Sequence, residues 1–477
     1  MKHIILFPIA ALLVTRPSLA EPLSLNRYLG EVMQKHDQFK SAKNSLDAGV
    51  LTASEGDLLV ATSLFGNASH TDDAKPSLLF NYDKVIDNNY QLGFKKQSSI
   101  GLYGRLYYNW DDQAYQNLNI PGSPPLNING AIGSPTLELT IPLWRNFWGG
   151  EIRSQMDQVN ATRAAQKFNA SFEMKNILAQ AESAYWALAL ARESVKVSKD
   201  AVGRALELYK WNSYRANSGL TDKADFFQAD AALQQNKLEL QTAQDTEVLA
   251  ARAFNSSRNT DSADVPEALM PMTSSSLDQL QIPKRSEMRD DTRAALEQSN
   301  AAQAGEEQTR QSYKPTLELY GTAALNSDNP VTDKSNAFNN SFSGTRPTQI
   351  VGLRFSTPLD VGLVNDARAG HQAAIHAAQL NYQRTLFEQE KGWHDLTEKF
   401  QQAKTRLTIY DGLEKAQKTK MEYEKMRRQK GRTTTQWVIQ FESEFEQTQL
   451  ARIQTMSDIL QLLALMKTYA STEEVTR

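Results

Sequence analysis

Residues Arg215–Gln228 read RANSGLTDKADFFQ, and 212 positions later Arg427–Gln440 read RRQKGRTTTQWVIQ. In both stretches an Arg precedes a Gly by four, a Thr follows that Gly by two, and a Gln follows it by nine. Each Gly interrupts a long helical pattern. Upstream of each pattern a strand-like run ends in Pro-Leu, at Leu137–Leu143 (LELTIPL) and Val351–Leu359 (VGLRFSTPL). Self-similarity at about half the chain length marks a duplicated architecture. Alternating strands that feed long paired helices point to a channel rather than an enzyme.

Working outward, Thr136–Trp144 puts Leu137, Leu139, Ile141 and Leu143 on one face and Thr136, Glu138 and Thr140 on the other. That is the period of two of a half-buried strand. From about 150 to 217 the pattern becomes heptads: Met174, Ala181, Leu188, Val195 and Val202 form one seam, and Leu178, Tyr185 and Leu206 the partner seam. A sustained 3.5-residue period predicts a coiled coil, and 65 or so helical residues span roughly 100 Å. The chain turns at Gly219 and returns as a Gln-rich helix to about residue 255.

The predicted organisation follows. The first repeat covers 21–255: a helix over 22–56, strands at 58–70 and 136–144, and a helical hairpin with its tip at 215–225. Residues 256–285, rich in Ser, Asp and Pro, form a linker. The second repeat covers 286–477: a helix over 286–312, strands at 316–325 and 348–357, a helix over about 364–428, a tip at 427–433 and a last helix. Along the first of these long helices Trp393, Leu396, Phe400, Ala403, Leu407 and Tyr410 keep unbroken 3-4 spacing. Polar segments at 71–90, 111–135 and 326–347 read as loops. Residues 91–97 and 100–110 read as a hairpin turning near Ser98-Ser99. It either adds two strands to a barrel or folds as a surface cap, and Lys95 and Lys96 with their polar flanks favour the cap.

Residues 1–20 read as a secretory signal: Lys2 and His3, an apolar centre over Ile4–Val14, and a small-residue cleavage site Ser18-Leu19-Ala20. Without Lys2 and Arg16, 50 basic residues face 55 acidic ones, a mature charge of −5 with His neutral. This balance gives no electrostatic case for nucleic acid. There is no cysteine, hence no disulfide framework, thiolate metal site or lipid-modified cysteine. No later apolar run approaches the roughly 18–20 residues of a membrane helix. Only a closed β-barrel lets such a chain span a bilayer.

No catalytic constellation stands out. His371, His376 and His394 sit among Ala, Gln and Glu without a second ligand at zinc spacing, and no Gly-rich phosphate loop occurs. A metal or cofactor is not expected.

With the two tips, the junctions at Pro142-Leu143 and Pro358-Leu359, and Ile282-Pro283-Lys284-Arg285 opening the second repeat, the mature chain resembles the TolC family of outer-membrane efflux and secretion channels. The resemblance implies an α+β membrane protein and a homotrimer. About four strands per protomer would close a 12-stranded barrel in outer-membrane lipid, continued by a periplasmic helical barrel. It also implies a periplasmic adaptor (membrane fusion) protein and an inner-membrane transporter of RND, ABC or MFS type as partners. The chain would then be a passive exit duct for a tripartite efflux pump or a type I secretion system. The rival reading is a periplasmic coiled-coil adaptor, which normally carries one hairpin between compact β domains. An exported enzyme lacks a site.

In the family, the tips constrict the tunnel and dock the adaptor, which assigns aperture and docking roles to Arg215, Gly219, Thr221, Asp225, Arg427, Arg428, Lys430, Gly431, Arg432, Thr433, Trp437 and Gln440. Asp225 matches a family acid of the closed aperture, placed to pair with a tip arginine. The second copy departs from the pattern, with Trp437 and Gln440 at positions of acids and Thr433 at that of an arginine. Lys425, Arg427, Arg428, Lys430 and Arg432 make this tip basic, either a solvated helix end complementing the dipole or an element of gating. Trp144, Phe147 and Trp148 read as an aromatic girdle at the membrane surface, against the alternative of packing between barrel and helix.

Overall fold

The computed structural model describes residues 22–76, 81–120, 122–278, 280–327 and 334–471. The signal stretch at 1–20 and its cleavage site lie outside the described residues. The chain divides into two compact units. Each draws on both sequence halves, because both copies contribute strands and a helical hairpin, the first four strands (63–142) and the second two (316–356).

One unit comprises residues 45–169 and 291–387 and holds a single antiparallel sheet. In chain order its strands are β1 (Ser63–Asp73), β2 (Lys84–Gln97), β3 (Tyr103–Leu118), β4 (Leu126–Pro142), β5 (Thr316–Asn326) and β6 (Arg346–Ser356). They lie side by side in that order. The expectation of about four strands is therefore corrected to six among the described residues. The hairpin near 91–110 is not a cap: β2 pairs with β1 along its length, and β3 pairs with β4. The expected loop at 111–135 is mostly strand, since β3 and β4 run on through it. Asn, Asp and Gln dominate there, so backbone pairing proceeds without apolar alternation to announce it. The first strand begins at Ser63 rather than at 58, after a short 3-10 turn over Glu55–Val60.

Register fixes the faces. Leu64, Phe94, Leu106 and Leu137 form one transverse row, and Ile141, Leu319 and Leu353 part of another. Their side chains are exposed or half-exposed in the single chain, Leu64 at 65% and Leu106 at 59%. The opposite face is polar: Arg105 Nη1 meets Glu138 Oε2 at 3.0 Å, Tyr107 donates to Glu138 Oε1 at 2.7 Å, and Arg354 pairs with Glu318 at 3.5 Å. Gly93 permits the close β2–β3 approach, because a Cβ there would stand 2.3 Å from the Tyr107 side chain. No helix among the described residues is long and apolar enough to cross a membrane.

The other unit comprises residues up to 44, 170–290 and from 388. Its helices are α1 (Leu25–Lys35), α2 (Asp37–Leu51, shared with the first unit), α3 (Gly150–Asn217), α4 (Lys223–Ser256), α5 (Ser274–Asp278), α8 (Val361–Gln429) and α9 (Thr435–Lys467). The sheet-bearing unit holds α6 (Asp290–Ser312) and α7 (Lys334–Asn340), and α3 and α8 begin there. The helix expected over 22–56 breaks at His36, whose backbone is extended and whose Nδ1 accepts from Phe39 N at 3.2 Å.

On α3 the predicted seam holds through Met174, Leu178, Ala181, Tyr185 and Leu188, all buried. It then shifts by three. The buried positions become Ala191, Ser198, Ala205 and Asn212, with Ala201 and Leu208 between them. Val195 and Val202 are only half-buried, and Leu206 is exposed. A straight helix drifts against a strict heptad, and a three-residue step restores the facing stripe. Along α8 the stripe through Phe400, Ala403 and Leu407 continues to Met421 and Glu424 at the tip.

The segment 256–285 packs against α1 and α3 rather than hanging free. Arg258 pairs with Glu31 and Glu267 beneath the stacked Tyr28 and Phe254 rings. Tyr185 donates its hydroxyl to Leu23 O at 2.5 Å.

Candidate functional site

The two tips have the same backbone. Gly219 and Gly431 lie at φ +67° and +68°, the left-handed region that ends a helix without Cβ strain. Leu220 N donates to Arg215 O at 2.8 Å, and Arg432 N donates to Arg427 O at 2.9 Å. These six-residue closures satisfy carbonyls that the helix end leaves open. The paired arginines act alike, since Arg215 Nη2 donates to Leu220 O at 3.1 Å and Arg427 Nη2 to Arg432 O at 2.9 Å. Each thus clamps the turn made by the glycine four residues on.

The threonines diverge. Thr221 Oγ1 donates to Asp225 Oδ2 at 2.7 Å, whereas Thr433 Oγ1 donates to Glu424. Within one chain the Asp225 carboxylate is therefore turned to Thr221 and not to a tip arginine. Asp222 caps α4 through Ala224 N at 3.0 Å. The tips meet through Asn212, buried at 3% exposure, whose Nδ2 reaches Thr435 Oγ1 at 3.2 Å and Asp225 O at 3.4 Å. Leu208, Ala229 and Val438 form an apolar cluster beside it.

Of the basic run, Lys425 pairs with Glu207 at 3.3 Å and Arg427 with Glu424 at 3.2 Å. Arg428 is half-buried with its guanidinium 5.9 Å from the Trp211 ring centre, and burial pulls its pKa below the ordinary arginine value. Lys430 and Arg432 are exposed. Trp437 is half-exposed and lies against Phe441, 5.7 Å between ring centres, and Gln440 donates to Glu444 at 2.9 Å. Positive charge therefore stands exposed at Lys430 and Arg432, while further in Lys425 and Arg427 are ion-paired and Arg428 Nε is buried without a hydrogen-bond partner.

At the strand-to-helix junction Trp144, Phe147 and Trp148 are all exposed, Trp148 at 63%. They are presented by a strained corner: Asn146 and Trp148 both take positive φ. The Asn146 side chain holds it, accepting from Glu151 N and Ile152 N at 3.1 Å each at the start of α3. Arg145 closes on Glu151 at 2.6 Å. On the polar face of the sheet a cleft of about 500 Å³ is lined by Arg105, Glu138, Arg145, Glu151, Glu318 and Arg354. These are three arginines and three glutamates, mutually paired, so the wall offers polarity with little net charge.

Sequence reasoning missed Asn212, Glu207 and Glu424, and also Glu442 and Glu446 on α9. An (i, i+4) carboxylate pair beside Phe445 on an apolar stripe was the available signal. Among the described residues no cluster of His, Cys, Asp or Glu could hold a metal.

No protein-family model matches the chain, and no curated protein matches it by sequence. Among solved structures it is similar to the outer-membrane channel OprN, with TM-score 0.65 and 15% identity over 93% of this chain and 89% of that one. VceC, an outer membrane protein of Vibrio cholerae, gives TM-score 0.65 and 17% identity over 94% and 96%. The MtrE outer membrane channel of Neisseria gonorrhoeae in its open state gives 0.63 and 14% over 93% and 88%. At such identities the likeness is one of fold, and it extends over nearly the whole chain.

Proposed function

We propose that this chain, with the fold of the outer-membrane channels, is a member of the TolC family: the passive outer-membrane exit duct of a tripartite efflux pump or type I secretion system. The observation that carries the reading is the six-stranded sheet, apolar on one face, polar on the other and, among the described residues, unpaired at the outer edges of β1 and β6. Open sheet edges are not tolerated in hydrocarbon, so the sheet has to close with further copies of itself. In a homotrimer, three copies of six strands make an eighteen-stranded barrel instead of the twelve expected from sequence. The apolar rows face lipid, Trp144, Phe147 and Trp148 sit at headgroup level, and the charge-balanced cleft lines the lumen.

The long hairpins α3–α4 and α8–α9 form the periplasmic tunnel wall, and the tips are its aperture and the docking point for an adaptor. The inner-membrane transporter supplies the energy. Two hairpins joined to a membrane sheet weigh against the adaptor reading, which has one. The test is membrane fractionation with native mass measurement. A heat-resistant trimer in the outer membrane is the expected result; a species extracted with the inner membrane would replace the duct with the adaptor. Deleting the gene and assaying drug sensitivity and protein secretion separately identifies the cargo route.

A further inference from the structure

Away from the tips, α3, α4 and α9 enclose a cleft of about 460 Å³, a volume typical of small-molecule sites. Glu239 of α4 and Glu446 of α9 line it, and no Lys or Arg does. Ser198, Thr242 and Ser443 also line it, the Ser198 hydroxyl bonded to the Glu446 carboxyl, and Ala191, Ala243 and Leu450 supply an apolar wall.

Glu446 is only 5% exposed, and its Oε1 has no hydrogen-bond partner. A buried carboxylate oxygen left unpaired is costly, so the site is built short of a positive partner. The nearest guanidinium does not fill that role. Arg204 shares an adjoining cavity of about 100 Å³ with Glu442 and Glu446. Its Nε and Nη2 are likewise unpartnered, and its Cζ lies 5.6 Å from the Phe445 ring centre. The charges facing Glu446 are Glu239 from α4, Arg204 from α3 and Glu442 from its own helix. Glu442 is in turn faced by Arg204 and Glu207 of α3 and by Lys425 and Arg428 of α8. Burial first, then Glu239, pushes the Glu446 carboxyl up to about 7.

We propose that this cleft binds a small organic cation, a primary ammonium on a short apolar body, with the ammonium on the Glu446 carboxylate and the body against Ala191, Ala243 and Leu450. The ammonium supplies the missing donor to Oε1, Glu239 adds attraction from the open side, and serine and threonine hydroxyl oxygens accept hydrogen bonds from its remaining N–H groups. Charge, not shape alone, sets the selection: a neutral analogue leaves Oε1 unpaired. The inference stands on this cleft and does not depend on the duct reading.

The test is calorimetric titration of the full-length detergent-solubilised protein with benzylammonium chloride, with benzyl alcohol as the uncharged control. Saturable binding is expected at pH 8 for the ammonium alone. At pH 6 it weakens about tenfold, because a carboxyl titrating near 7 passes from about nine-tenths to one-tenth ionised. Glu446→Gln, which keeps the shape and removes a buried charge, should abolish binding while leaving the melting profile cooperative. Glu239→Gln should weaken it several-fold. Non-saturable heats at pH 8, equal binding of benzyl alcohol, or undiminished binding to Glu446→Gln each overturn the proposal. So does tighter Glu446-dependent binding of magnesium chloride alone, which would assign the site to an inorganic ion.

Discussion

Leu106→Arg on β3 separates a membrane strand from a solvated cap. Leu106 lies in a row between Phe94 and Leu137, on the face that also carries Leu92 and Leu139, and its side chain is 59% exposed in the single chain. If that face meets lipid, an arginine near the midplane costs about 2–4 kcal/mol per copy. In a closed trimer the three copies together lose about 6–12 kcal/mol by the same scale. If the face met water, the substitution would stay within about 0.5 kcal/mol, as exposed changes generally do. The assay is urea unfolding of the barrel folded into lipid vesicles, together with the yield of heat-resistant trimer in cells. Gln91→Arg is the matched control, one residue from Leu92 and so on the polar face. The expected result is collapse of trimer yield for Leu106→Arg and near-normal assembly for Gln91→Arg. Equal assembly of both variants would refute the assignment of β2 and β3 to the membrane wall.

Four further outcomes follow from the helical unit. Glu446→Gln should raise thermal stability at pH 8 by about 3 kcal/mol, since a carboxyl held near 7 instead of its ordinary 4.5 costs about 1.4 kcal/mol per unit when ionised. The sign follows from proton binding: between those values the folded state holds the extra proton, so stability falls as pH rises, and the variant's advantage should vanish near pH 4 in a melting series. Gly431→Ala should cost about 1–2 kcal/mol at the second tip from its left-handed backbone alone, because no atom lies within 4 Å of the added Cβ; faster amide exchange over 425–435 is the readout. In single-channel recordings the basic second tip should give weak cation selectivity or anion selectivity, and Arg432→Glu should shift it toward cations more than half-buried Arg428→Glu does. Asp225→Ala should raise conductance, and Thr221→Val should copy it, since the hydroxyl is what holds that carboxylate.

What could be read from sequence was whatever leaves a periodic trace. The tips, the long helices and strands β4, β5 and β6 were legible because glycine spacing, 3-4 repeats and alternation are local signals. The upper halves of β3 and β4 were not, because residues such as Asp111, Asp112 and Asn129 pair through their backbones and bury no apolar stripe. The step in the α3 seam escaped for a related reason: Val195 and Val202 extend the heptad in composition, while small residues at Ser198 and Ala205 take the buried positions. At the tips, Arg215 and Arg427 were found by repetition, but their part in clamping the Leu220 and Arg432 carbonyls became visible only with coordinates. Asn212 falls on Glu424 in the second tip, a different residue type, so identity between the repeats did not flag either position although both are buried.

Six strands per copy also set a perimeter. Adjacent strands stand about 4.8 Å apart and tilt about 40° in outer-membrane barrels, so the eighteen of the proposed trimer would enclose a wall about 110 Å around. The backbone diameter is then about 36 Å, against about 24 Å for twelve strands at the same spacing and tilt. On the proposed reading, a lumen of the larger bore would admit hydrated solutes and extended polypeptides alike. Its paired arginines and glutamates would leave passing ions no strong reason to linger, so such a wall would sort almost nothing. On that reading, discrimination would fall to the place where the helices end, at the turns built on Gly219 and Gly431.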